Sequence, residues 1–320
     1  MVNSVQAEVV LSESEHLPAV DVWLVVDILR ATTVMVRWFE MGGAVLYPAE
    51  SVEGAVRLAQ KLRERGETPL LMGERNAIAP QGFDLGNSPL DITQELCKKY
   101  SCAVMATTNG TKALLKASVT GTPVLIACAR NAVSALELAL SKGRRIGIFC
   151  SGRKGRPAWD DTLCAGLLVA CLTEHFPNIH LADSARLSLL AWQRTRDFGA
   201  SLKTADHAVF LEKIGFGDDI AYAAEVDVAR TVPELHELPE GSGMIACLRE
   251  GLSNAPARSP LRKALPETLA LPEPASPAET PGGREEPLSF SGEAEIGLGH
   301  VFLGGENFKK QRKSRLKKHQ

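Results

Sequence analysis

From the N-terminus to about residue 250 the chain alternates short apolar, β-branched runs with segments whose apolar positions recur at helical spacing. The runs predict strands over Val5–Leu11, Val22–Leu29, Ala44–Pro48, Pro69–Gly73, Cys102–Ala106, Pro123–Ala127 and Arg145–Cys150. Between them, helical periodicity predicts helices over Ser51–Arg65, Ile92–Tyr100, Thr111–Ala117, Asn131–Lys142 and Asp161–His175. In Ser51–Arg65, for example, Val52, Ala55, Val56, Ala59 and Leu62 share one face, and Gly66 stands where helices end. Residues 180–250 read as mainly helical, with a dissenting strand at Ala208–Glu212. Such alternation implies right-handed crossovers, and hence an α/β fold with a largely parallel sheet covered by helices.

The pattern stops near Leu252. Residues 1–250 therefore form the expected folded part, with any subdomain boundary near 120–145. Residues 251–300, rich in Pro, Glu and Ser, have too little apolar surface to order themselves and read as a disordered linker. Residues 301–320 are a basic tail ending KKQRKSRLKKHQ. That tail is either a weak tether for nucleic acid, membrane or an acidic partner, or a solvated extension without a part in the chemistry.

Composition narrows the class. The 320 residues are 45% hydrophobic and 23% charged, as in soluble globular proteins, and the net charge of −2 argues against a dedicated nucleic-acid binder. Seven cysteines without a C-x-x-C pair suggest neither a disulfide framework nor a zinc ribbon. No apolar run is long enough to span a bilayer, and the first residues lack a signal-peptide layout, so the expected location is cytoplasmic.

The chemistry gathers after the strands. WLVVDILRATT, Trp23–Thr33, is a strand buried on both faces that ends in Asp27, Arg30, Thr32 and Thr33. Carboxyl ends of strands are where open α/β sheets place ligands, and the following helix could offer free N–H groups to an anion. The plainer alternative is that Asp27 and Arg30 pair locally while the threonines cap the helix. Further loops carry Glu74-Arg75-Asn76, then GFDLGNSP with Asp84, Asn87 and Ser88, then TTNGTKAL, Thr107–Leu114. The last reads as a strand–turn–helix junction, although it lacks P-loop spacing. Cys128, Arg130 and Asn131 follow another strand; Cys150 to Arg153 and Trp159-Asp160-Asp161 follow the next. Asp27, Glu74, Asp84 and Asp161 are thus four candidate ligands for a hard cation such as Mg²⁺. Arg30, Arg75, Lys112, Arg130 and Arg153 suit a small polyanion. An anion-handling enzyme is the reading these residues support.

Cys150 to Arg156, CSGRKGR, also fits the C-x₅-R phosphate cradle of cysteine phosphatases, with Asp160 or Asp161 as proton donor. Pro157 and Trp159 interrupt the direct run into a helix that such a cradle needs. Cys164 and Cys171 read as small buried residues. The histidines, His175, His180 and His207 among them, show no metal-ligand spacing and read as structural or exposed.

Taken in order, VVDILRATT, GFDLGNSP, TTNGTKAL, FCSGR and DDTLCAG resemble the 2-phosphosulfolactate phosphatase family over roughly residues 5–235. The first motif carries Asp27, Arg30, Thr32 and Thr33; the second region Glu74, Asp84, Gly86, Asn87 and Ser88; the third Thr107, Thr108, Asn109, Gly110 and Thr111. Cys150, Gly152 and Arg153 match a C-A-G-R-like turn in which Ser151 replaces alanine. Asp161, Cys164, Ala165 and Gly166 match the helix start. Asp219, Asp227, Val232 and Pro233 fit a later pattern in which Ala223 stands in place of cysteine. The resemblance implies a three-layer α/β/α fold with a largely parallel or mixed sheet, in two similar halves, and a homodimer. It implies a Mg²⁺-dependent hydrolysis of (2R)-2-phospho-3-sulfolactate to 3-sulfolactate and phosphate, in some organisms a step of coenzyme M biosynthesis.

On that basis Asp27, Arg30, Asp161 and Cys150 are expected at the catalytic centre, and Asp27, Glu74, Asp84 and Asp161 around the metal. Thr32, Thr33, Asn87, Ser88, Thr107, Thr108, Asn109, Gly110, Thr111, Lys112, Arg130 and Arg153 are expected to hold substrate. The nucleophile is either a metal-activated water or Asp27 itself. The competing expectations are a metal-independent cysteine phosphatase using Cys150 and Arg156, and a non-catalytic protein that binds small anions.

Overall fold

A computed structural model describes residues 4–240 and 243–250, the last residues from 238 onward by backbone alone. The expected linker 251–300 and basic tail 301–320 lie outside the described residues. Ten strands form one mixed sheet: β1 (Gln6–Val10), β2 (Val22–Val26), β3 (Leu46–Ala49), β4 (Pro69–Gly73), β5 (Cys102–Ala106), β6 (Val124–Ala127), β7 (Arg145–Cys150), β8 (His180–Leu181), β9 (Pro233–Glu240) and β10 (Gly243–Glu250). Their order across the sheet is β4-β5-β3-β10-β9-β6-β2-β7-β1-β8. Helices cover both faces: α1 (Ala31–Glu40), α2 (Val52–Glu64), α3 (Gln94–Lys99), α4 (Gly110–Ser118), α5 (Ala132–Lys142), α6 (Trp159–His175), α7 (Asp183–Gln193), α8 (Phe198–Lys203), α9 (Asp206–Lys213) and α10 (Gly217–Ala223). The three-layer α/β/α fold is therefore present.

The strands form because their side chains are buried on both sides. All five residues of β2 are buried between β6 and β7, its parallel neighbours. In β4 and β5 the two faces separate cleanly. Leu71, Val104 and Ala106 pack with Ala55, Ala59 and Leu62 of α2, whereas Leu70, Met72, Ala103 and Met105 join the main core. The helix starts carry local signals: Ser51 accepts a hydrogen bond from the Gly54 N–H and Thr93 from that of Leu96.

Two expectations for residues 180–250 give way. Ala208–Glu212 lies inside α9, because Ala208 and Leu211, three apart, are the positions it buries. After α7–α10, which are helical as expected, the described residues end in an antiparallel hairpin, β9–β10, rather than in helix. This hairpin lies between β3 and β6 and joins two groups of parallel strands, β4-β5-β3 and β6-β2-β7-β1-β8. β1 and β2 thus stand with β6 and β7, on the far side of the hairpin from β3–β5. Helix α4 follows β5 in sequence yet packs against β2, β3 and β6. It carries the loop after β5 across to the end of β2, and there the site forms.

Candidate active site

Asp27 follows β2 directly and is 8% exposed. Its carboxylate lies against the first turn of α4. A Cβ on Gly110 would stand 2.7 Å from Asp27 Oδ2 and 2.5 Å from Ala31 Cβ, so only glycine permits this approach. The Ala31 N–H donates to Oδ1 at a long 3.3 Å. Burial first, then the charge of Asp160 and that of Glu74, push the Asp27 carboxyl up to about 7. Among the described residues no lysine or arginine is within ion-pair distance of it.

Asp161 and Asp160 open α6. Asp161 receives the Ile28 N–H at 2.9 Å, the Gly152 N–H at 3.0 Å and the Ser151 hydroxyl at 3.1 Å, so it ties the end of β2 to the turn after β7. Burial, then Asp160 and Asp27, raise its carboxyl. Asp160 is pushed up to about 6, again by burial first, although Arg153 opposes the shift. Glu74 reaches the cluster because Gly73, at φ 143°, ends β4 where a Cβ would strike the Ala106 carbonyl. Its two oxygens accept the Thr108 N–H at 2.7 Å and the Ala77 N–H at 2.8 Å. Three buried carboxylates and Glu74 therefore lie close enough to act on one another's charge, with the N-terminus of α4 against Asp27. The donors there are arranged for an anion, and the carboxylates for a cation or a proton.

Other expected residues take different places. Asp84 is exposed beside β4, where its carboxylate accepts the Leu71 N–H at 2.8 Å; it fixes the edge of that strand, outside the cluster. Arg30 is 2% exposed, and its guanidinium donates to Asp219 at 2.7 Å and to the Ala77 carbonyl at 2.8 Å beneath the Phe216 ring. It acts as a buried hub, with Ser88 donating to the other oxygen of Asp219 at 2.6 Å. Thr32 and Thr33 are fully buried; one hydroxyl accepts the Asp27 N–H and the other donates to the Ile28 carbonyl. Thr107 and Thr111 bond each other at the start of α4. Thr108, Asn109, Lys112 and Arg153 keep partial or full exposure, while Asn87 is buried with an unpartnered amide oxygen. Arg130 stacks on Tyr222 at 3.7 Å and pairs with Glu225 and Glu40, so it is consumed away from the cleft.

Cys150 is fully buried, donates to the Asp161 carbonyl at 3.5 Å, and has its thiol raised well above normal by burial and by Asp161. Arg156 is exposed. A thiolate nucleophile has no support here. His207, expected to be structural or exposed, is set by α9 with Nδ1 3.9 Å from Asp160 Oδ2. Its imidazole is lowered to about 4 by burial and by Arg153 and Arg30, so it is neutral at physiological pH. Among the described residues no three or more His, Cys, Asp or Glu side chains are already arranged as a metal cage. No helix in them is long and apolar enough to cross a membrane.

The family model described as 2-phosphosulpholactate phosphatase matches residues 9–238, which include the whole cleft. The chain belongs to this family. A relative from Deinococcus radiodurans, named a probable 2-phosphosulfolactate phosphatase, is 34% identical over 72% of this chain and 95% of its own length. Relatives with the same printed name from Clostridium novyi and Thermus thermophilus are each 34% identical, over 67% and 69% of this chain and 88% and 90% of their own. Membership of the 2-phosphosulpholactate phosphatase family makes the chain a phosphoric monoester hydrolase.

Proposed function

We propose that the protein hydrolyses (2R)-2-phospho-3-sulfolactate to 3-sulfolactate and phosphate with the help of Mg²⁺. The observation that carries this reading is Asp27: a buried carboxylate without a cationic partner, facing the first turn of α4. Mg²⁺ uses one or two carboxylates and completes its shell with water and phosphate oxygens, so it needs no preformed cage. The donors fit such an ion. Asp27 would hold it, with Glu74 and Asp161 beside it; Asp84 is too far removed by its bond to β4. When bound, the ion would neutralise phosphate charge and acidify a water.

The chain's own residues supply the rest. The N–H groups of Gly110 and Lys112 in the first turn of α4, with the side chains of Thr108 and Asn109 before it, would face the phosphoryl oxygens, where partial positive charge favours an anion; the N–H groups of Thr108 and Thr111 are already held by Glu74 and Thr107. Asp27 orients the attacking water and, as a carboxylate, can accept its proton. Arg30 holds the Glu74 loop and α10 in place from behind. Arg153, half-buried and near enough for its charge to act on Asp160 and His207, would meet an acidic group of the substrate.

Phosphate release from 2-phosphosulfolactate, measured with Mg²⁺ and with EDTA, tests this. Release that needs Mg²⁺ is expected. Full release in EDTA would eliminate the metal, and binding without release would leave only an anion-binding protein.

A further inference from the structure

The residues assigned above come from loops after strands, but one wall of the cleft is helical. His207, on α9, has a side chain 22% exposed and feels the charges of Arg153, Arg30 and Glu74, which sit on three separate loops. Its Nδ1, 3.9 Å from Asp160 Oδ2, sets the ring beside the carboxylate cluster. Its 3.9 Å separation from Asp160 is too long for a hydrogen bond, so among the described residues the ring has no hydrogen-bond partner and its N–H is available to a ligand. One turn further along α9, Phe210 lies 6.0 Å from the guanidinium of Arg153.

Two arginines near this wall differ sharply. Arg30 has spent its donors on Asp219 and Ala77 and is 2% exposed. Arg153 is half-buried and, among the described residues, has no carboxylate within ion-pair distance. A 2-phosphosulfolactate that places its phosphoryl group at α4 carries two further acidic groups, a carboxylate and a sulfonate, and neither can lie against the carboxylates of Asp27, Asp160 and Asp161 without a donor between. Arg153 and the neutral imidazole of His207 are the donors that can receive one of them.

We propose that His207 is a specificity-determining residue that, with Arg153, forms the subsite for one of the two acidic groups, carboxylate or sulfonate, on the alcohol portion of the phosphoester. This rests on the phosphatase reading above. It assigns to α9 the task of telling a phosphorylated acid from a plain phosphomonoester.

The test compares 2-phosphosulfolactate with phenyl phosphate, a monoester without a second acidic group, in the full-length wild type and in His207→Ala, His207→Gln and His207→Phe. The preference for the acid, as a ratio of kcat/KM, is expected to fall about tenfold in His207→Ala, chiefly through KM. His207→Gln, which keeps a neutral N–H donor, should recover most of it, and His207→Phe, which keeps the bulk, should not. An unchanged ratio, even with a lowered Tm, would make His207 a packing residue and overturn the proposal. Calorimetric binding of 3-sulfolactate to the same proteins gives a readout without turnover. If the wild type releases phosphate from neither ester, the phosphatase reading fails, while the binding arm still decides the subsite. Weaker binding in His207→Ala than in wild type supports it; equal binding, or none in wild type, sinks it.

Discussion

β2 and β6 are parallel neighbours, and each ends in a short loop with an arginine and other polar side chains before a helix. Their fates differ. After β6, Asn131 accepts the Cys128 N–H and donates to the carbonyls of Ile126 and Thr231. Arg130 is stacked on Tyr222 and paired with Glu225 and Glu40. Apart from the buried Nε of Arg130, which has no partner among the described residues, these groups are turned inward and pin the segments before β9. After β2, Asp27 is left with a long hydrogen bond, negative neighbours and the free end of α4. The lesson is that polarity at a strand end does not make a site; an uncompensated charge does.

The sharpest way to break this contrast is Asp27→Asn. We expect kcat for phosphate release to drop by about 10³-fold or more, since both metal holding and proton acceptance are lost. Stability should move the other way. The Asp27 carboxyl titrates near 7 in the folded protein against an ordinary value of 3.8. The protonated form is thus the one the fold favours: its contribution is complete below pH ~4 and is lost as pH rises through about 7. In metal-free protein, Asp27→Asn should therefore raise Tm at pH 8 and have little effect at pH 4, which thermal melts at the two pH values will check. A lower Tm at pH 8 would contradict the uncompensated charge.

Arg130→Ala is the converse. It should cost about 2 kcal/mol in urea denaturation, because the stacked, largely buried guanidinium is lost while Glu225 remains partly in water. The kcat of the folded fraction should stay within about threefold of wild type. A larger loss would return Arg130 to the site. The smallest effect is expected for Cys150→Ser, with phosphate release again within about threefold, because a buried thiol with a raised pKa is not the nucleophile. Complete loss with an unchanged melt would revive the cysteine mechanism.

The strands and helices up to α6 were legible because burial on both faces leaves continuous apolar runs, and helical faces leave a distinct period. Both features survive in a local window. The hairpin was not legible: Leu235 lies three residues before Leu238 in PELHELPE, which imitates a helix, and the strand is set instead by pairing with β10. α9 failed for the opposite reason, since Ala208–Leu211 is an unbroken apolar stretch of which only Ala208 and Leu211 are buried.

The site divides in the same way. Asp27, Glu74 and Asp161 could be named from their positions after strands. That Asp84 faces the outer edge of β4, and that Arg30 is enclosed by Asp219, depends on where distant segments come to rest. His207 is a lone histidine in sequence and becomes informative only when α9 lies over Asp160.

The hairpin has one more consequence, for the order in which the molecule can be made. β3 and β6 present inner edges that are filled only by β10 and β9, so Leu46 waits for Leu248 and Leu125 for Glu234. During synthesis from the N-terminus, two groups of parallel strands can assemble long before their shared filling exists. Until then each offers an open row of peptide groups to any neighbouring strand, including that of another nascent chain. Among the described residues, the last strands to be synthesised are the ones that turn two partial sheets into one.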